Sequence, residues 1–521
     1  MMSFSLKATP DAAEFVSPQR RRAILVVVAL SLMMVVSAVS GLNVALPDLA
    51  RDTGATATQL QWIVDAYTLS FAGLLLPAGA LGDRLGRKGV LLAGLLIFGL
   101  AAADALWSGD PNILIWLRAA MGVGAALVMP TTLSVITTSF PPRERGRAIG
   151  LWVGVAGGGA VLGLFASGVL LEFYSWHSFY ALNVTLAVLS LLGAIAVIPR
   201  SRDAIPPRMD PLGGLLSLLT VTGIVFAIIE GPARGWGDLV VISSAIVGLG
   251  SVFSFVMWEL RRESPMLDPR LFLKRGFGTG SLSVTVQFFA AFGFFFVIMQ
   301  YLQFVAGRSP LGAAVSLLPL PFILIPLARV APRIAERIGF RRIGSLGLLL
   351  IAAGLLVMTR LGTELNYPLM VVGLVLFASG MALAGTPATQ AITASLPDTK
   401  QGVASAVNDT AREFGSALGI AILGSLLNSG YSDGVAAAAA RLPVPAAAAA
   451  TQSIAVAEAI AARLGPAGEA LNQAAQQAFV DGAHQALVGA AIVLAVAAAV
   501  IAWLGLNAAT DSDSVTDEVS R

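Results

Sequence analysis

The chain contains no cysteine and only two histidines, His177 and His484. Disulfides, thiol nucleophiles and cysteine-based metal sites are excluded, and an imidazole-built metal centre is out of reach. Charge is scarce too: Asp, Glu, Lys and Arg make up 12% of 521 residues, about half the usual share of a soluble domain. A phosphate-cradling P-loop and a histidine cluster are also missing, so nothing points to an enzyme. Neither a metal nor a cofactor is expected.

What the chain has in abundance is hydrocarbon. Hydrophobic residues are 56% of the total and mean hydropathy is +0.81, more than a soluble core requires. Apolar runs near the ~20 residues that cross a ~30 Å hydrocarbon layer recur from end to end. They predict an all-α integral membrane protein with 14 transmembrane helices, the first over 23–46, the ninth over 276–302 and the last three over 368–392, 404–428 and 485–506. The first run follows Arg20, Arg21 and Arg22. It exceeds the ~7 to 15 residues of a signal-peptide core, so a retained helix is expected.

The net charge of +3 and pI near 9.4 do not mark a nucleic-acid binder, because the basic residues lie in short loops rather than one patch. Sorting the loops alternately puts 25 basic residues on one side and 6 on the other. That asymmetry is the signature of cytoplasmic loops, so both termini are expected in the cytoplasm. Four lysines against 29 arginines, with much Ala and Gly, suit a bacterial plasma membrane protein from a GC-rich gene.

One loop is richer than topology requires. "GALGDRLGRKG" at 79–89 gathers Gly82, Asp83, Arg84, Gly86, Arg87 and Lys88. Charge there is solvated and fixes orientation, and the glycines allow two helix ends to approach closely. "AERIGFRR" at 335–342 repeats it 253 residues later, with Glu336 for Asp83, Arg337 for Arg84 and Gly339 for Gly86. Two copies imply two related halves, and transporters so built bind substrate between the halves and rock around it.

Four stretches together are specific enough to identify a family. "LNVALPDLARDTGATATQLQWIVDAYTLSFAGLLLPAGALGDRLGRKG", "LRAAMGVGAALVMPTTLSVI", "GVAGGGAVLGLFASGVL" and "NDTAREFGSALGIAILGS" resemble the major facilitator superfamily, in its fourteen-helix drug:proton antiporter branch of the EmrB/QacA type. The resemblance covers nearly the whole chain. It implies two six-helix bundles plus two inserted peripheral helices. The boundaries then read as a cytoplasmic segment 1–22, a first bundle 23–198, a linker 199–210, inserted helices 211–259 and a second linker 260–275. A second bundle follows over 276–506, with an extracytoplasmic loop 429–484, and 507–521 is an acidic cytoplasmic tail. Two departures stand out: Ala38 occupies the place of the family's helix 1 Asp, and Gly163-Leu164 replaces its Gly-Pro. The small face of Gly157, Gly163 and Gly168 survives for close packing between halves.

An ionisable group in hydrocarbon costs roughly 2.5 to 3.5 kcal/mol, so each one needs a reason. Asp65 and Arg118 fall at similar depths, ~9 Å from one surface, and are expected to pair as the proton-coupling site of the first half, in place of the missing helix 1 Asp. In the second half Asp409 and Glu413 share a helix face, with Arg412 beside them. Proton coupling and a static helix-to-helix salt bridge are equally open there. For substrate, Phe289, Phe292 and Phe296 precede Gln300 and Tyr301, and Asn43, Gln61 and Asn408 are further polar wall candidates. Aromatics beside a few amides suit flat lipophilic molecules, cationic ones included.

The implied protein is a monomeric, proton-coupled exporter of hydrophobic or amphipathic compounds, multidrug-efflux in type, with protons and membrane lipid as its other partners. The Gly82–Lys88 loop and its copy would be made and broken between states. The alternative is a lipid or isoprenoid translocase, or a transporter whose proton coupling is altered or lost with the helix 1 Asp.

Overall fold

The computed structural model describes residues 17–201, 210–262, 265, 267–396 and 401–504. Helix starts follow local chemistry. In α1 (Pro18–Ser40) and α5 (Pro111–Ser139), Ser17 and Asp110 cap the first turn and proline opens it, where its missing N–H costs nothing. Between them, α2 (Leu42–Thr53) continues α1 past Gly41, α3 (Ala57–Leu85) opens with a Thr56/Gln59 capping box and α4 (Arg87–Ala105) follows the signature loop. Next come α6 (Pro142–Phe173), α7 (His177–Val197), α8 (Pro211–Arg234) and α9 (Leu239–Leu260).

The remaining chain gives α10 (Arg275–Gln300), a π turn at Tyr301–Val305, α11 (Pro310–Ser316) and α12 (Pro319–Ile338). Then follow α13 (Phe340–Met358), α14 (Tyr367–Ala394) and α15 (Gln401–Ala439). Two short helices, α16 (Val444–Gln452) and α17 (Ile454–Leu464), lead to α18 (Glu469–Leu504). The segment 429–484 holds short helices, as its sequence leads one to expect, but α15 overruns the predicted end at 428 and α18 starts well before 485. Its alanine-rich sequence has high helix propensity and does not stop where the hydrocarbon does.

Among the described residues, twelve helices are long and apolar enough to cross a membrane. The expected fourteen is not reached by that measure: α3 and α6 fall outside the twelve, although Leu162–Phe173 of α6 counts as a shorter apolar helix. The helices pack as two groups. In one, α1 meets α5, α6 and α7, α3 meets α5, and α4 meets α5 and α7. In the other, α10 meets α14, α15 and α18, α13 meets α14 and α18, and α12 meets α14.

The repeated loops are alike in backbone as well as sequence. Gly86 (φ 105°) and Gly339 (φ 82°) each end one helix and begin the next. That region of φ is reached readily only without a β-carbon. Gly82 lies against Thr131 Oγ1, and Lys88 donates to the Ile195 carbonyl at 2.7 Å, closing the loop onto the end of α7. Arg84 is exposed and Arg87 buried. Of the other predicted motif residues, Glu336 and Arg337 form the last turn of α12. The side chain of Asp83, and Gly157, lie outside what is described, as do 1–16, most of the 199–210 linker and the 507–521 tail.

The small-residue face is only partly an interface between halves. A β-carbon at Gly163 would sit 2.6 Å from Ser37 Cα, so this glycine lets α6 press on α1 of its own bundle. Gly168 alone, of the described residues in that predicted set, faces the other group, 3.0 Å from Ala314 on α11 by the same measure.

Candidate functional site

The two groups meet at one end of the molecule, the end capped by α16 and α17. There α3 packs on α15, α6 on α11, and α2 on α10 and α17. The contacts run from Leu69 and Ala417, which share one apolar cluster near mid-height, to Asn428 and Thr58, 3.5 Å apart at the capped end. Two glutamines fasten this seam reciprocally. Gln61 of the first group donates to the Ala421 carbonyl at 3.3 Å and to Ser425 Oγ at 3.4 Å. Gln303 of the second donates to the Val44 carbonyl at 3.0 Å. Arg51 binds the Gln303 carbonyl at 3.3 Å and Asp48 at 3.2 Å, lies 4.8 Å from the centre of the Phe304 ring and comes within 3.8 Å of Glu458 on α17. Burial pushes the Asp48 carboxyl above its ordinary range, against the pull of Arg51.

The hollow left in this seam is about 20 Å³ and is lined by Phe296, Gln300, Phe304, Gly424 and Asn428, among others. It has room for a water and none for a drug-sized molecule, which needs roughly 300 Å³ or more. The capped end is thus closed. A larger hollow of about 510 Å³, lined by Leu85, Gly86, Lys88, Leu92 and Arg200, lies within the first group and not between the two.

The predicted substrate-wall residues divide accordingly. Gln61, Phe296 and Gln300 are closing contacts at the seam rather than walls of an open cavity. Asn43, in the first turn of α2, donates to the Val39 carbonyl at the end of α1. Tyr301 turns away altogether, donating to the Gly362 carbonyl at 2.8 Å inside the second group. Phe289 is buried where the α15 backbone at Gly419 touches it. Phe292 stacks on Phe288 with ring centres 6.0 Å apart, and Asn408 accepts from Thr389 at 3.2 Å.

The expected Asp65–Arg118 pair does not form. Arg118 is fully buried; its Nε donates to the Ile63 carbonyl at 3.0 Å and its guanidinium lies 4.4 Å from the centre of the Tyr67 ring. Arg118 lies level with the stretch of α3 that holds Asp65, but faces another side of that helix. Positions two apart on a helix lie on different sides, so a group gripping Ile63 is turned from Asp65. Asp65 is 0% exposed, and neither carboxyl oxygen has a hydrogen-bond partner among the described residues. Both terminal nitrogens of Arg118 are likewise buried without one.

On α15, Arg412 sits 5.1 Å from the centre of the Phe288 ring, with Nε unpartnered. Neither Asp409 nor Glu413 forms an ion pair among the described residues. Sequence reasoning passed over Arg51, Glu458 and Trp62, whose partners lie far away in the chain. It also passed over Gly430-Tyr431-Ser432-Asp433-Gly434, which has the letters of a nucleophile elbow. Those residues lie inside α15, with no strand-to-helix turn to expose the serine, so no elbow exists.

Known proteins agree with this architecture. The model of the Major Facilitator Superfamily matches residues 28–420. The multidrug efflux pump LfrA of Mycolicibacterium smegmatis is 34% identical over 503 residues, covering 96% of this chain and 99% of LfrA. The methyl viologen resistance protein SmvA of Salmonella typhimurium is 33% identical over 494 residues, 92% of this chain and 97% of SmvA. Among solved structures, a bacterial homolog of the human lysosomal transporter Spinster superposes with TM-score 0.66 at 17% identity, covering 94% of this chain and 98% of that one. A POT peptide transporter superposes with TM-score 0.60 at 16% identity, covering 92% and 95%. With two helical groups, one closed seam and relatives of this extent, the chain belongs to the Major Facilitator Superfamily and is a membrane transporter, not an enzyme.

Proposed function

We propose that this chain is a proton-coupled antiporter that exports lipophilic and amphipathic compounds, cationic ones among them, across a bacterial plasma membrane. In this reading α3 and α6 also span, giving the fourteen helices of the drug:proton antiporter branch, with both termini cytoplasmic. The capped end is then the outer face, and the structure stands closed outside and ready to load from within. The names of the relatives, an efflux pump and a methyl viologen resistance protein, support export as the direction. The two groups correspond to bundles 23–198 and 276–506, with 211–259 inserted.

One observation carries the proton coupling: Asp65 is a fully buried carboxyl with no hydrogen-bond donor or ion-pair partner among the described residues. An unpaired carboxylate in such surroundings is expensive, whereas the neutral acid is tolerated. Asp65 therefore carries a proton in this conformation and releases it when the seam beside it opens to water. Glu413, half-buried and free of any ion pair among the described residues, plays the matching part in the second bundle. Arg118, held by Ile63 and Tyr67, fixes the local field instead of pairing with Asp65. Each proton moving inward through 100 mV supplies about 2.3 kcal/mol, so one per cycle concentrates a neutral substrate outward, whereas a monovalent cation returns that work on leaving and needs the pH gradient or a second proton.

The test is ethidium efflux from proteoliposomes under an imposed pH gradient. Asp65→Asn should bind ethidium and exchange it passively, yet lose gradient-driven accumulation. Gradient-driven transport at the wild-type rate in both Asp65→Asn and Glu413→Gln would refute the assignment.

A further inference from the structure

Of the inserted helices, α8 touches both bundles, packing on α3 of the first and on α15 of the second. We propose that α8 is a fixed part of the first bundle and a sliding seal against the second. It closes the α3/α15 seam to lipid, so lipophilic substrate enters from the bilayer through the opposite seam, beside α6. The inference rests on the alternating-access reading above.

The contacts of α8 with its two neighbours differ in kind. Against α3 they are interlocked at three heights. A β-carbon at Gly73 would stand 3.2 Å from Leu218 Cα, so Leu218 sits directly over bare backbone, and Gly214 fits against Pro77 in the same way one turn lower. At the capped end the Trp62 and Phe226 rings are 5.5 Å apart, and Trp62 Nε1 donates to Glu230 at 2.7 Å while Arg234 holds the other oxygen at 2.6 Å. A neutral indole bound to an ion-paired carboxylate is a strong, directional tether.

Against α15 the contact is apolar and lightly bonded. Val221, Val225 and Ile229 cluster with Ala417 and Ala421, flanked by Phe414 and Leu418, and among the described residues the one hydrogen bond is Ser425 Oγ to the Ile228 carbonyl at 3.0 Å. Small side chains let helices approach closely without interlocking, and a lone hydroxyl on a helical carbonyl is a weak hold. On the other side, α6 meets α11 near the capped end, where Glu172 accepts from Leu311 N at 3.3 Å and Gly168 faces Ala314. Among the described residues no inserted helix backs that seam.

The chain lacks cysteine, so spin labels on introduced cysteines report cleanly. Ile195 and Leu212 pair the first bundle with α8, Leu212 and Arg342 pair α8 with the second bundle, and Ile195 and Arg342 report bundle against bundle. Distances in proteoliposomes are compared at acidic and alkaline pH with ethidium present. The Leu212–Arg342 distance should shift as far as the Ile195–Arg342 distance, while Ile195–Leu212 stays put. A shift in Ile195–Leu212 with Leu212–Arg342 constant would place α8 on the wrong bundle and overturn the inference. A static Ile195–Arg342 distance would refute the rocking reading itself, and this inference with it.

Two further measurements stand apart from that readout. A disulfide in Gly73→Cys/Leu218→Cys, whose β-carbons would be 3.5 Å apart and within disulfide reach, should leave ethidium efflux at its uncrosslinked rate. Vesicles of diazirine-acyl phosphatidylcholine should label peptides of α6 and α12 and spare the α15 segment around Ala417. Labelling of that segment would show the seal to be open.

Discussion

Replacing Gln61 and Gln303 with leucine, singly and together, should loosen the closed end by a calculable amount. Each side chain makes an inter-bundle hydrogen bond to a backbone carbonyl, at 3.3 Å and 3.0 Å respectively; the longer contact of Gln61 to Ser425 Oγ, at 3.4 Å, leaves that hydroxyl its own bond to the Ile228 carbonyl when the glutamine is removed. Those carbonyls lie in helical segments, so removing the glutamine strands no acceptor, and leucine keeps the volume. Only the net bond is lost, about 1 kcal/mol by mutational series in soluble proteins and about 0.6 kcal/mol by double-mutant cycles in a membrane protein. A single change should therefore raise the population open at the capped end by about 3- to 5-fold, and the pair by about 8- to 30-fold if the bonds act independently. The readout is a single cysteine at Asn428, which lines the hollow in the seam. While the open state is rare, its labelling rate by a membrane-impermeant maleimide is proportional to the open population. An unchanged rate in the double variant would show that the glutamines do not hold the seam, and the reciprocal latch would be abandoned.

Three more outcomes follow from the same geometry. Gly424→Ala would drive a β-carbon into the Gln61 side chain, 2.8 Å from Cδ; it should raise Asn428→Cys labelling at least as much as Gln61→Leu, and a lower rate would contradict the packing. Arg51→Gln removes the link between α2 and Glu458 at 3.8 Å along with the contact on Phe304. As Arg51 is 42% exposed in its side chain, the ion pair itself is worth no more than about 1 kcal/mol, about 5-fold in labelling, and the lost bond to the Gln303 carbonyl adds to that; an unchanged rate would show that Arg51 does not hold the capped end. Gly86→Ala and Gly339→Ala force a side chain into left-handed backbone at φ 105° and 82°. Each should cost roughly 1 to 3 kcal/mol and lower the detergent melting temperature, and a variant that melts with the wild type would show the loop to be free to rearrange.

The helices of this chain are written in short signals. Proline after Ser17, Asp110 and Asp210 starts a helix because capping involves only neighbouring residues. The repeated glycines were legible for the same reason: Gly86 and Gly339 satisfy a local demand on φ. How far a helix runs beyond the bilayer was harder to read, as at the end of α15 and the start of α18, because alanine prolongs a helix with or without lipid around it. Of the site, the scarcity of buried charge singled out Asp65, Arg118, Asp409 and Glu413 on composition alone.

Which of those groups touch was beyond the sequence. A soluble helix carries a polar face that tells its rotation, but here bilayer and bundle core are both apolar, so the pattern is nearly uniform around each axis. Depth can be counted in residues; facing cannot. That is why Arg118 was placed at the right height and given the wrong partner, why Gly163 serves α1 instead of the seam, and why Tyr301 points away from any cavity. The membrane class, the repeat and the helix starts were fixed by the order of residues, since each depends on neighbours a few positions apart. The closed seam, the isolation of Asp65 and the place of α8 between the bundles were decided only by tertiary packing, which sets the rotation of every helix against partners hundreds of residues away.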